Sequence, residues 1–146
     1  MNWASLFVEF IYCTVATGFL ALIFRAPYKT IPVSAVAGGF GWVVLSLLGG
    51  KLPAYLIATS VLAIFGEVSA RLMKKPATLF THVAVIPLVP GMGLYRTMLY
   101  LIDGHTQEGL AVGVETLLEI GMMAMAIGFT SIAFRRAVRK RPGNAR

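Results

Sequence analysis

The stretch from Leu79 to Leu101, LFTHVAVIPLVPGMGLYRTMLYL, constrains the fold of this chain more than any other. An α-helix rises about 1.5 Å per residue and a bilayer core is about 30 Å thick, so about 20 apolar residues cross it. This stretch is long enough, yet Pro87, Pro90, Gly91 and Gly93 stand in its middle. A proline inside a helix removes a donor and clashes with the preceding turn, and glycine favours conformations that a helix does not use. The expectation is two half-helices meeting at a break near Pro87 to Gly93, roughly at mid-membrane. Lipid offers no partner to unwound backbone, so the break must pack against protein or line a wet cavity. Secondary transporters place substrates and coupling ions at such breaks.

Composition places the whole chain in a lipid bilayer. Of its 146 residues 58% are hydrophobic and 13% charged, with a mean hydropathy of +0.79; soluble domains carry about 25% charged residues. The net charge of +7 does not point to nucleic acid, because six of the thirteen basic residues follow Phe134 and most others lie in short loops. That pattern orients membrane helices. Cys13 is the single cysteine, which excludes an intramolecular disulfide. With only His82 and His105 besides, neither a metal site nor any other cofactor is expected. An enzyme is not expected either, since Ser46, Ser60 and Ser69 have no histidine or lysine placed to activate them.

The expected fold is therefore an all-α integral membrane protein of five transmembrane helices over residues 1–134, followed by a basic tail over 135–146. Segment one runs from Trp3 to Phe24 with Glu9 as its one charge, and lacks the basic start and cleavage site of a signal peptide. Segment two, Ile31 to Leu48, begins beside Pro32 and ends at Gly49-Gly50; its Ser34, Ala35, Gly38, Gly39 and Gly41 suit close helix packing. Segment three, Pro53 to Leu72, holds Glu67 and Arg71 four residues apart, the spacing of an interfacial ion pair. Segment four is the broken helix. Segment five, Leu110 to Phe134, contains Glu115 and Glu119, and its Met122, Met123 and Met125 read as packing.

Loop charges then give an orientation. Arg25 and Lys29, then Arg71, Lys74 and Lys75, then the tail put eleven basic residues on one side. The other side has Lys51 alone. The positive-inside rule places the N-terminus outside and the C-terminus in the cytoplasm, for a multi-pass protein of the inner or plasma membrane.

Charges at membrane depth cost about 2.5–3.5 kcal/mol each on insertion scales and are functional candidates. Counting along the helices puts Arg96 and Glu115 at similar depths, so the two are expected to pair. Glu119 falls one turn deeper, closer to the break, as a less compensated carboxylate suited to proton exchange. The alternative for both glutamates is packing against a partner helix. The half-helix after Gly91 should present N–H groups to a carboxylate, and carbonyls near Ile86 should suit an ammonium group, a hydroxyl or a cation. An amino acid offers both charges.

The segment AVIPLVPGMGLYRTML, Ala84 to Leu99, resembles the signature of the threonine/serine exporter family, in its small C-terminal-half component. Pro87, the Pro90-Gly91 pair and Tyr95 carry the resemblance, with Arg71 and Pro76 upstream and the five-span length in agreement. Glu115, Glu119 and Arg96 match no motif of that family. The resemblance implies proton-driven export of threonine and serine, or of dicarboxylates such as succinate, by a secondary transporter. It also implies a second membrane subunit carrying the other five spans. A non-transporting scaffold subunit, a channel and a higher oligomer stay open as alternatives.

Overall fold

The computed structural model describes residues 3–139, and the rest of the expected basic tail, 140–146, lies outside them. Six α-helices follow in order: α1 Trp3–Ile23, α2 Ile31–Leu47, α3 Leu52–Met73, α4 Thr78–Val85, α5 Gly91–Ile102 and α6 Thr106–Arg139. A 3₁₀ turn, Ile86–Leu88, follows α4, and no strand occurs among the described residues. Pro32 and Pro53 open α2 and α3, where a first-turn residue lacks an intrahelical acceptor anyway. After α2 the chain reverses through Gly49 and Gly50 at φ +74° and +63°, and after α5 through Gly104 at +83°. Glycine adopts that left-handed region without penalty.

Three helices are long and apolar enough to cross a membrane: α1, α3, and α6 over Thr106–Arg136. The bent α4–α5 pair makes a fourth candidate if it crosses as one span. The apolar α2 is shorter, with 17 residues. Segment five is longer than expected at both ends. Arg135 and Arg136 continue α6 rather than begin a separate tail, and cations there complement the helix dipole.

Packing is ordered by small residues. α2 lies at the centre, with α1 on one side, α3 on another and α4 wedged between α2 and α3. A Cβ added at Gly38 would collide with Thr17, and one at Gly39 with Thr14 and Phe10. Without lipid-excluding hydrophobicity to join them, membrane helices rely on such close approach. The buried cluster shows the same economy: Ala37, Ala54, Ala58 and Ala84 surround Leu45, Leu62, Leu88 and Met123.

The outer pair of helices has a definite register. α6 packs on α3 and runs the same way, with Glu67 opposite Ser131 and Arg71 opposite Phe134, offsets of 64 and 63 residues. Carried back along the helices, that offset sets Leu52 level with residues 115–116, so the first ten residues of α6 overhang α3 by about 15 Å. α5 lies antiparallel on this overhang: Gly93 seats against Thr116, Gly113 against Thr97 and Gly109 against Leu101. Within this chain α5 buries none of its residues.

Candidate functional site

The break occupies residues 86–90. Pro87 and Pro90 have no N–H, so the carbonyls of Val83 and Ile86 lose their α-helical donors. The Val89 N–H takes up the Ile86 carbonyl at 3.1 Å. Val89 itself is extended (φ −59°, ψ 128°) and Pro90 sits at φ −75°, ψ 62°. Together they turn the chain by 46° between its two halves. Leu88 is fully buried and faces Gly41, where an added Cβ would lie 3.2 Å from Leu88 and 3.0 Å from Leu62. Gly41 and Leu62 stand midway along α2 and α3, which sets the break at mid-height in the bundle. Its inner side is thereby covered by protein.

The expected break residues divide by role. Pro87 is half-buried, Pro90 is buried, and between them they form the break. Gly91 is exposed and faces open space. Gly93 belongs instead to the α5–α6 seam, and Tyr95 is exposed one turn into α5. The start of α5 offers fewer open donors than expected. The Gly91 N–H reaches the Val89 carbonyl at 2.7 Å, and those of Gly93 and Leu94 reach the Pro90 carbonyl at 3.1 and 3.3 Å.

Neither expected ion pair forms among the described residues. Arg96 is at a depth similar to Glu115, but its neighbour Thr97 faces the α5–α6 seam. Consecutive helical positions diverge by about 100°, so Arg96 turns away and is exposed. Glu67 and Arg71 both reach across to α6 instead of to each other. The Ser131 hydroxyl donates to Glu67 Oε1 at 3.3 Å. Arg71 Nη2 donates to the Phe134 carbonyl at 3.0 Å, with the guanidinium 4.8 Å over the Phe134 ring. A backbone acceptor and an aromatic face together hold the guanidinium against α6.

Glu119 lies on α6 one turn nearer the break than Glu115. The α3–α6 register makes it level with Tyr55 in the first turn of α3. That is nearer the overhang than the break. Neither carboxylate has a hydrogen bond or ion pair among the described residues.

Two features were not legible in the sequence. Trp42 Nε1 donates to Glu9 Oε2 at 3.2 Å, giving the one charge of α1 a partner on α2. The Phe10 and Phe40 rings pack edge to face beside it. The only sequence signal was an isolated acid in one apolar segment and an isolated indole in the next. The second feature is a pair of cavities flanking α4 at the end of the bundle that carries most of the basic residues. One, of about 580 Å³, is mainly apolar and lies against Phe24, Leu79, Val83 and Ile86. The other, of about 530 Å³, separates α4 from α6 and is lined by Glu67, Thr81, Ser131 and Arg135 among others. Thr78, His82 and Val85 border both. His82 Nδ1 lies 3.1 Å from the Thr78 carbonyl; since a carbonyl only accepts, this nitrogen carries the proton in that bond.

A family model described as Threonine/Serine exporter, ThrE, matches residues 9–133. An uncharacterised protein of Haemophilus influenzae (strain ATCC 51907 / DSM 11121 / KW20 / Rd) is 34% identical over 95 residues, 62% of this chain and 31% of that protein. The chain thus spans less than a third of the length of that curated relative. No solved structure matches it. With most of its length covered by the family model, including the broken helix and the core helices around it, the chain belongs to the threonine/serine exporter family.

Proposed function

We infer that this chain is a subunit of a secondary transporter that exports small polar metabolites, threonine and serine first, across the cell membrane. The observation that carries this is the helix break, which is packed at mid-height between α2 and α3 and follows directly on Val85, a residue lining the cavity between α4 and α6. Unwound backbone at that depth is tolerated where it is covered by protein or lines a route. On this reading the chain crosses five times, α2 and the bent α4–α5 pair each counting as a span. The basic loops and the C-terminal end of α6 then face the cytoplasm, and the N-terminus faces outside.

A second membrane subunit with the remaining spans completes the transporter. The unburied α5 and the chain's short coverage of its relative both support such a partner. Export is coupled to protons, with Glu119 as the exchanging group: it is a half-buried acid without a partner among the described residues, level with Tyr55 and one turn from Glu115.

The test is efflux from cells preloaded with threonine and serine, expressing this chain alone, its partner alone, or both. Efflux should require both chains and stop when the proton gradient is collapsed. Glu119→Gln should abolish the dependence on that gradient. Efflux of a dicarboxylate such as succinate in place of threonine and serine would contradict the substrate assignment. No efflux of any of these would contradict the transport reading.

A further inference from the structure

We propose that the cavity between α4 and α6 is the entry site for substrate, holding a zwitterionic α-amino acid between Glu67, which takes its ammonium group, and Arg135, which takes its carboxylate. The proposal rests on the export reading and adds the residues that meet the substrate first. Opposite charges that share a cavity ordinarily pair with each other when they can reach. Here they do not. Glu67 commits Oε1 to Ser131, while Oε2 has no partner among the described residues. Arg135 stands one helical turn beyond Ser131 and is likewise unpaired. Arg71, one turn beyond Glu67 on α3, is held by Phe134.

A half-buried carboxylate without a cation carries a desolvation cost that a ligand's own ammonium group relieves. A guanidinium at the mouth presents a planar fork that fits a carboxylate with two parallel hydrogen bonds. A small molecule carrying both charges satisfies both walls at once. A dicarboxylate satisfies only Arg135 and sets a like charge against Glu67.

Size and position agree. About 530 Å³ lies within the usual range for small-molecule sites, roughly 300–1,000 Å³. The α4 wall supplies a hydroxyl acceptor: with Nδ1 donating to Thr78, the second ring nitrogen of neutral His82 is free to accept from a substrate hydroxyl. The cavity also leads to the break. Val85 lines it and directly precedes the 3₁₀ turn, and Ile127 on the α6 wall is level with Ala63, next to Leu62, by the α3–α6 register. A molecule entering at Arg135 therefore descends along α4 to the unwound backbone.

Occupancy is testable without transport. In a Cys13→Ala background, Ser131→Cys is labelled with a maleimide in membrane vesicles that expose the basic end of the bundle, both chains being present. Millimolar L-threonine should slow labelling at least threefold. Threoninol, which lacks the carboxylate, 2,3-dihydroxybutyrate, which lacks the amine, and succinate should not. Ile127→Cys leaves the Glu67–Ser131 bond intact and should give the same protection. Glu67→Gln or Arg135→Gln should remove the protection, whereas Arg136→Gln, outside the cavity, should keep it. Threonine efflux with no threonine protection at either cysteine would overturn the site while leaving the export reading in place. Equal protection by threoninol or succinate would overturn the charge assignment.

Discussion

At the scale of single residues, three charges of the apolar helices are held by bonds between helices rather than along them. Glu9 is held by the Trp42 indole, Glu67 by Ser131 and Arg71 by Phe134. Each bond ties one helix to another, so its loss weakens assembly rather than helix formation. Trp42→Phe keeps most of the ring volume but leaves Glu9 without its donor. Hydrogen bonds within a bilayer contribute about 0.6 kcal/mol on average and up to about 1.7, so this variant should lose about 1 kcal/mol of stability in detergent unfolding. Glu9→Gln keeps an acceptor for the indole and should lose less. The sequence showed which charges lay in apolar segments but assigned two of them, Glu67 and Arg71, to each other. The i, i+4 spacing brings two side chains within reach; it does not say whether a third helix offers each a better partner. Arg96 and Glu115 teach the same lesson about facing, since depth was legible from counting while direction depended on the α5–α6 seam.

At the scale of elements, the break and the register have different origins. Pro87 and Pro90 dictate a break from local chemistry alone, which is why it is readable in the sequence. The 64-residue offset between α3 and α6 is set by long-range contacts such as Glu67 with Ser131 and was not readable. That offset moves Glu119 toward Tyr55 and creates the α5–α6 overhang. It can be measured by cross-linking. In a Cys13→Ala background, Glu67→Cys with Ser131→Cys should form a disulfide under mild oxidation. Glu67→Cys with Thr116→Cys, displaced by about four turns along α6, should not. The reverse pattern would mean that α6 sits on α3 in another register.

For the whole molecule, the basic loops gather at one end, the cavity between α4 and α6 opens beside them, α4 forms its wall, and the break stands at mid-height, the parts of the proposed route. Exposed apolar residues on α5 and on the first half of α6, such as Met98, Ile102, Leu110 and Leu117, are left for lipid or a second subunit to cover. On the proposed reading the break itself carries transport. The measurement that tests it most directly is threonine efflux by the Pro87→Ala, Pro90→Ala, Gly91→Ala variant with its partner, alongside its level in the membrane fraction. Restoring donors at 87 and 90 and removing glycine's freedom at 91 favours one continuous helix. Membrane insertion should be normal, with efflux reduced at least tenfold. Unchanged efflux from a normally inserted variant would mean that the break is a packing kink and that substrate passes elsewhere.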